Sequence, residues 1–260
     1  CVVVNCQRGG PGLGTIQPSQ GDYFQACKGG GHGDYRLIVL APASVQEMHD
    51  FVALGFDLAF KYRNPAMILA DGAIGQMMEK VVLAPQRPRK TNEEIAAECR
   101  DWATYGKPAD RPRNVVTSLE LQSEAMEKIN LRLQDKYKAM EENEVRYEAL
   151  ACDDADYVIV AFGSSARICS ATVEMARAEG IRLGMLRPIT LYPFPTRPIA
   201  ELAARVKGFL SVELNAGQMV EDVRLAVNGA VPVEHYGRQG GMIYSPDEVL
   251  AALKEKLIKA

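Results

Sequence analysis

The sequence lacks the features that would place the protein in several common classes. It has no apolar run of about 18 residues or more, so no segment is typical of a transmembrane helix. Its six cysteines form no Cys-x-x-Cys pair, the local signature of many zinc and iron–sulfur sites. Its three histidines have no metal-ligand spacing, and a net charge of −3 gives no general attraction to nucleic acid. We expect a cytoplasmic protein without a metal site in this chain.

Short apolar runs alternate with helical patterns along the first part of the chain. Strands are predicted at residues 2–5, 37–40 and 66–72, the last of them apolar on both faces. Between the second and third strands, Ser44 and Glu47 form a capping box that begins a helix. This order predicts a layered α/β domain with right-handed crossovers.

The middle of the chain has a different composition. Residues 85–112 are rich in proline and charge, which is typical of a surface connector. Thr117 and Glu120 suggest a second capping box, followed by a long charged helix to about residue 150. The apolar stripe of this helix fits either a helix that bridges two domains or a coiled-coil partner. From residue 157 onward, strand and helix patterns alternate again and predict a second α/β domain.

A glycine-rich segment, "VNCQRGGPGLGTIQPSQGDYFQACKGGGHGD", follows the first predicted strand. It matches neither the dinucleotide fingerprint nor the P-loop. Arg8 comes directly after the strand, where open α/β sheets bind ligands. Its guanidinium could bind a carboxylate or a phosphate through two parallel hydrogen bonds, or it could be a solvated arginine beside a turn.

Long motifs in this region carry a resemblance to a known family. The stretches "NCQRGGPGLG", "QGDYFQACKGGGHGDYRLIVLAPASVQE", "PAMILADGAIGQ" and "GRQGG" resemble the alpha subunit of 2-oxoacid:ferredoxin oxidoreductases. The resemblance is greatest to the branched-chain type, which acts on 2-oxoisovalerate (3-methyl-2-oxobutanoate). It implies oxidative decarboxylation of a 2-oxoacid with coenzyme A to give acyl-CoA, CO2 and reduced ferredoxin.

The resemblance also implies a domain order. Residues 1–85 would form an N-terminally incomplete, pyrimidine-side thiamine-diphosphate-binding α/β domain. Residues 86–150 would be a linker and long helix, and residues 151–260 a transketolase C-terminal-like α/β domain.

Functional roles follow from the same resemblance for residues of the glycine-rich segment. Arg8 would be the catalytic and substrate-binding residue, facing the cofactor and the carboxylate of the 2-oxoacid. Gly9, Gly10 and Thr15 would bind the substrate with it, and Gly10 and Pro11 would also contact the cofactor.

Three further groups of residues are candidates. His32 and Asp34 would bind the cofactor, or would only fix the loop. Arg238, Gly240 and Gly241 would contact coenzyme A, or would form an ordinary turn. The stretch from Glu213 to Gln218 would make a subunit contact, or Asn215 would cap a helix there.

The resemblance implies cofactors and partners that complete the site. A beta subunit would bind most of the thiamine diphosphate and its Mg2+, and iron–sulfur clusters would lie in partner chains. Gamma and delta subunits and ferredoxin would be further partners in a hetero-oligomer.

The start of the sequence leaves alternatives open. The family's activating glutamate would lie upstream of Cys1, so we expect an N-terminally incomplete chain that is inactive alone. The alternatives are a pyruvate- or 2-oxoglutarate-type member, a non-catalytic partner-binding scaffold, or a non-redox transketolase-like or decarboxylase subunit.

Overall fold

The computed structural model describes residues 1–103, 106–107 and 109–259. The small gaps at 104–105 and 108 fall in the predicted connector, and residue 260 ends the predicted second domain, so these positions lie outside the described residues. The chain forms two compact units. One contains Cys1–Val82 and the chain from Gln134 onward, and the other contains Leu83–Leu133.

Nine strands are present among the described residues. They are β1 (Val2–Gln7), β2 (Ile38–Leu40), β3 (Ala66–Asp71), β4 (Tyr147–Leu150), β5 (Tyr157–Val160), β6 (Leu183–Pro188), β7 (Thr190–Tyr192), β8 (Gly208–Glu213) and β9 (Val233–Gly237).

Nine α-helices connect or flank these strands in the same described ranges. They are α1 (Tyr23–Cys27), α2 (Val45–Tyr62), α3 (Gly72–Gln76), α4 (Asn92–Glu98), α5 (Ser123–Asn143), α6 (Gly163–Ala178), α7 (Thr196–Ala203), α8 (Met219–Val227) and α9 (Pro246–Leu253). A π-helical turn, Lys254–Ile258, follows α9.

The first sheet has the strand order β1-β3-β2-β7. Its first three strands are parallel, so their carboxyl ends meet at one edge, with Gln7 opposite Asp71. The side chain of Ser44 accepts a hydrogen bond from the amide of Glu47 at the start of α2, which is one half of the predicted capping box. The other half is not formed, because the Glu47 carboxylate accepts from the amide of Ala43 at 2.7 Å instead of from that of Ser44. Core residues of β2 and β3 are fully buried, as expected for a parallel sheet covered on both faces.

The second sheet has the order β4-β6-β5-β8-β9. Strands β5, β6, β8 and β9 are parallel, and β4 is antiparallel to β6. After β5 the chain continues to β6 on one side of β5, and it later returns to β8 on the other side of β5. The carboxyl ends of β5 and β8 therefore flank a topological switch point, the crevice in which open α/β sheets bind ligands.

The α/β class predicted from the sequence is confirmed, but several local predictions are wrong. The long helix begins at Ser123 rather than at a Thr117 capping box, and it ends at Asn143. The following residues form edge strand β4 instead of helix. The segment after β6 contains β7, which was not predicted and which pairs with β2, so the second half of the chain adds a strand to the first sheet.

Two apolar clusters fill the core on the two faces of the second sheet. One includes Val158, Phe162 and Phe209 and extends to Tyr23 and Leu69. The other is built around Ile159, Leu210 and the buried face of α6. In the described part of the chain, no helix is both long and apolar enough to cross a membrane.

Candidate functional site

The loop that follows β1 is held in a defined conformation by its own backbone. The amide of Gly9 donates to the carbonyl of Gln17 at 2.9 Å, and the amide of Thr15 donates to the carbonyl of Gly9 at 2.7 Å. Arg8 forms an isolated bridge with Pro18. The side chain of Arg8 is exposed, and its Nη1 donates to the carbonyl of Thr15 at 3.3 Å. Residues 8–18, called the Arg8 loop below, therefore present a positive charge at the carboxyl end of β1.

The buried Gln7 and the half-buried Asn5 fix both ends of this loop. Gln7 accepts a hydrogen bond from the amide of Asp22 at 2.8 Å and donates to the carbonyl of Ala70 at 3.2 Å. Asn5 donates to the carboxylate of Asp22 at 3.0 Å. Because these contacts join β1, β3 and the segment after the loop, the position of Arg8 is tied to the first sheet.

The predicted substrate loop and the predicted coenzyme A loop are in contact. A Cβ atom on Gly9 would lie 2.7 Å from the carbonyl carbon of Gly240 and 2.8 Å from the amide nitrogen of Gly241. A Cβ on Gly241 would lie 3.0 Å from the Thr15 hydroxyl. Glycine is therefore required on both sides, and the structure brings together Gly9, Thr15, Gly240 and Gly241.

Arg238, from the same predicted coenzyme A loop, makes a different contact. Its Nη1 donates to the Glu248 carboxylate at 2.6 Å, so its charge is paired at the start of α9. Glu248 also forms the capping box of that helix with Ser245. Any ligand of Arg238 would therefore compete with this internal ion pair.

His32 and Asp34 lie in an exposed turn between α1 and β2. The backbone carbonyl of Asp34 accepts a hydrogen bond from Gln134 of α5 at 3.3 Å. Over the described ranges, no hydrogen bond joins either side chain to the Arg8 loop. This contact joins the turn to α5 through the backbone and does not involve the side chain of Asp34.

The helix start after β8 is capped by Glu213 rather than by Asn215. The fully buried carboxylate of Glu213 accepts hydrogen bonds from the amides of Gln218, Met219 and Val220 at 2.7–3.1 Å. Asn215 instead accepts from the amide of Gly217 at 2.8 Å. A carboxylate at a helix N-terminus is favourable because it meets free amides and the positive end of the helix dipole.

A cavity of about 780 Å³ lies away from the Arg8 loop. Its lining includes Lys28, Arg36, Glu141, Tyr192 and Asp222, and none of the predicted site residues. Two polar pairs lie in its wall: Lys28 with Asp222, and the Tyr192 hydroxyl, which donates to the Glu141 carboxylate at 3.1 Å. Burial, followed by the charge of Glu141, raises the pKa of Tyr192. Arg36 also lines the cavity, with its guanidinium carbon 5.9 Å from the centre of the Tyr192 ring and its Nη1 donating to the carbonyl of Tyr35 at 3.0 Å.

Comparison with known proteins identifies the fold and the family. Residues 1–149 match the thiamine-diphosphate-binding family of pyruvate flavodoxin/ferredoxin oxidoreductases, and residues 155–249 match core domain II of pyruvate:ferredoxin oxidoreductase. The two α/β parts thus define a thiamine-diphosphate-type oxidoreductase chain. The chain belongs to the 2-oxoacid:ferredoxin oxidoreductase family, as the resemblance of its motifs implied.

Relatives of two substrate types are similar to this chain. The ketoisovalerate oxidoreductase subunit VorB of Methanothermobacter thermautotrophicus is 48% identical over 98% of this chain and 70% of its own length. The 2-oxoglutarate synthase subunit KorA of Methanothermobacter marburgensis is 36% identical over 96% of this chain and 72% of its own length. The similarity is thus greater to the ketoisovalerate subunit.

A solved structure has the same fold. The 2-oxoglutarate:ferredoxin oxidoreductase from Magnetococcus marinus, solved with 2-oxoglutarate, coenzyme A and succinyl-CoA bound, aligns with a TM-score of 0.80. The match has 23% identity and covers 99% of this chain, which spans about half, 48%, of that protein's chain.

Sequence reasoning missed the polar residues that hold the Arg8 loop. Asn5 was predicted only as the last residue of an apolar strand, and Gln7 only as a residue that follows it. Their polarity beside a run of valines was a usable signal, because buried amide side chains require hydrogen-bond partners.

Proposed function

We propose that this chain is the alpha subunit of a thiamine-diphosphate-dependent 2-oxoacid:ferredoxin oxidoreductase acting on 2-oxoisovalerate. The reaction converts the branched-chain 2-oxoacid and coenzyme A into acyl-CoA and CO2, and the electrons pass to ferredoxin. The observation that carries the proposal is the exposed guanidinium of Arg8 on an ordered loop at the carboxyl end of β1. The 48% identity to a ketoisovalerate subunit supports the choice of substrate.

Arg8 binds and orients the substrate in this proposal. Its guanidinium forms paired hydrogen bonds with the 2-oxoacid carboxylate. The carbonyl of Thr15 accepts from one of its nitrogens, which restricts the side chain on the loop. The benefit is one of orientation, because the pairing weakens as CO2 leaves.

The chain has room for a cofactor beside this arginine. A Cβ on Gly12 would meet no atom within 4 Å, and one on Gly10 would meet only a backbone nitrogen, at 3.9 Å. We propose that Gly10 and Pro11 line the cofactor side of the loop. Thiamine diphosphate, when bound, supplies the nucleophilic carbon and the electron sink that decarboxylation requires.

The remaining predicted residues have secondary roles in this proposal. Gly9 and Thr15 shape the substrate side of the loop, and Gly240 and Gly241 form the adjoining wall toward coenzyme A. His32 and Asp34 help to fix the turn before β2. Because Arg238 is paired with Glu248, its contribution to coenzyme A binding requires exchange of that ion pair.

Other chains complete the enzyme. We propose a beta subunit that binds the diphosphate with Mg2+, further gamma and delta subunits, and iron–sulfur clusters in those partners. The described cysteines are all free thiols, which suits a reducing compartment such as the cytoplasm.

Substitution of Arg8 tests the proposal directly. In the purified holoenzyme, Arg8→Ala is expected to lower kcat/KM for 2-oxoisovalerate by roughly 100-fold, mainly through KM, because an oriented charge pair is lost. The measurement is reduction of a viologen dye in the presence of thiamine diphosphate and coenzyme A.

Arg197→Ala is the matched control, since Arg197 is a strongly exposed arginine whose ion-pair partner, within the described residues, is Glu201 on its own helix. It should leave kcat/KM unchanged. Equal activity of the Arg8→Ala variant and the wild type would remove Arg8 from the substrate site.

A further inference from the structure

We propose that Gln20 is a positioning residue for Arg8, acting from the switch-point crevice of the second sheet. The inference rests on the proposed function, because it assigns Arg8 to the 2-oxoacid. Gln20 is fully buried, and it follows the returning end of the Arg8 loop.

The side chain of Gln20 joins the carboxyl ends of both strands at the crevice. Its Nε2 donates to the carbonyl of Phe162, after β5, at 2.8 Å. Its Oε1 accepts from the Ser165 hydroxyl at 2.7 Å and from the amide of Leu214, after β8, at 3.1 Å. These contacts fix the orientation of the amide, because donors face the oxygen and an acceptor faces the nitrogen.

The backbone of the same residue pairs with the β8 end. Its amide donates to the carbonyl of Leu214 at 2.9 Å, and its carbonyl accepts from Asn215 at 2.8 Å. The neighbouring Ser19 hydroxyl also donates to Leu214, at 3.0 Å. The segment of residues 19–20 thus occupies the position where an open α/β sheet would bind a ligand.

Gly163 allows this close approach at the start of α6. It has a φ of +56°, and a Cβ there would lie 3.0 Å from Nε2 of Gln20. The Ser165 hydroxyl that donates to Gln20 accepts in turn from Tyr244. Gln20 is therefore part of a buried polar chain that reaches the residues just before α9.

The contacts of the loop link this buried residue to Arg8. Arg8 forms a β-bridge with Pro18, and the amide of Gly9 donates to the carbonyl of Gln17. The two residues that follow β1 therefore pair with the two residues before Ser19. Anchoring Gln20 fixes the returning limb, and the returning limb fixes the backbone of Arg8. The second sheet thereby determines where the guanidinium lies, although it contributes no charge to the substrate.

The first test measures the loop without substrate. Gln20→Glu has the same shape but places a carboxylate oxygen against the Phe162 carbonyl. In the holoenzyme, amide hydrogen exchange of Gly9 and Thr15 is expected to become at least about 10-fold faster, because their hydrogen bonds depend on the anchored limb. Unchanged protection of both amides would overturn the proposal.

The second test measures coupling between Gln20 and Arg8. Gln20→Glu is expected to raise KM for 2-oxoisovalerate about 10-fold with a smaller change in kcat. In an Arg8→Ala background the same substitution should have little further effect, because the group it positions is gone. An equal fold loss in both backgrounds would show a structural role only.

Two additional variants keep the test decisive. If Gln20→Glu does not fold, Ser165→Ala takes its place in the test. It removes one hydrogen bond to Gln20 and should give the same changes in hydrogen exchange and KM, but smaller ones. Val173→Ala, in the buried core of α6, controls for lost stability and should add to Arg8→Ala without coupling. If the wild-type holoenzyme oxidises no 2-oxoacid, the proposed function fails; if only the coupling is absent, this inference alone fails.

Discussion

Gly9 is the residue at which two parts of the candidate site touch. Its backbone faces Gly240 and Gly241 across a gap too small for a methyl group. The sequence predicted that Gly9 contacts the substrate and that Gly240 and Gly241 contact coenzyme A, a different ligand. Their contact joins residues more than 200 positions apart, and no local pattern carries that information.

A methyl group at Gly9 tests this contact. Gly9→Ala is expected to destabilise the protein by about 2 kcal/mol, because backbone atoms of Gly240 and Gly241 must move. Gly10→Ala is the matched control, since its Cβ would meet only one atom, at 3.9 Å. Thermal unfolding of both variants gives the comparison; equal melting temperatures would contradict the close contact.

At the scale of elements, the start of α6 is held by a carboxylate from β3. Asp71 accepts from the amide of Ser164 at 3.1 Å and from its hydroxyl at 2.6 Å. It also accepts from the amides of Ala73 and Ile74 at the start of α3. The Gly163-Ser164-Ser165 turn resembles an anion site in sequence, but its amide is used by the protein's own carboxylate.

Asp71→Asn tests this link between elements. In the variant, an NH2 group replaces one of the two carboxylate oxygens and meets a hydrogen-bond donor where an acceptor is needed. A loss of about 2 kcal/mol in the free energy of unfolding is therefore expected. The exposed Asp135→Asn is the control and should unfold like the wild type in urea. If the Asp71→Asn variant is as stable as that control, the Asp71 carboxylate does not stabilise the starts of α3 and α6.

A second buried carboxylate connects the end of α2 to the segment before β4. Glu144 accepts from Lys61 at 2.6 Å and from Tyr62 at 2.7 Å, and it pairs with Arg146 at 2.9 Å. Burial alone would raise the pKa of Glu144, but these donors outweigh it and the pKa is lowered. The ionised carboxylate therefore stabilises the fold above its unfolded pKa of about 4.5, and this stabilisation is lost as pH falls through the lower folded value.

Glu144→Gln should lower the free energy of unfolding by about 2 kcal/mol near pH 7. The loss is smaller than for a fully buried ion pair because Lys61 remains in water. The difference from the wild type should narrow as the pH falls below about 4.5. Urea unfolding across that range is the measurement, with the exposed Glu142→Gln as control. A difference that stays constant with pH would rule out an ionised Glu144 as the cause.

At the scale of the whole molecule, local patterns predicted the α/β class and most of the buried strands. The Ser44 N-cap and the apolar run of β3 were sufficient because their signals lie within a few residues. Strand β7 was not predictable in this way, because Val39 pairs with Tyr192 across most of the chain. The capping box of Thr91 and Glu94 at α4 was present in the sequence but was overlooked within a proline-rich segment.

The candidate site was predictable only in part. Arg8 was found because strand ends and glycine loops have a known relation to ligands. The side chains that hold it were not, because their partners lie far away in sequence: Gln7 donates to Ala70 of β3, and Gln20 donates to Phe162 after β5. The interlocking of the two sheets through these residues explains why the loop keeps its conformation.

Substrate preference of the holoenzyme tests the central claim most directly. Viologen reduction would be measured with 2-oxoisovalerate, pyruvate and 2-oxoglutarate, with thiamine diphosphate and coenzyme A present. The account predicts a kcat/KM for 2-oxoisovalerate at least about 10-fold above those of the other two acids. A preference for 2-oxoglutarate or pyruvate, or no turnover of any of the three, would contradict it.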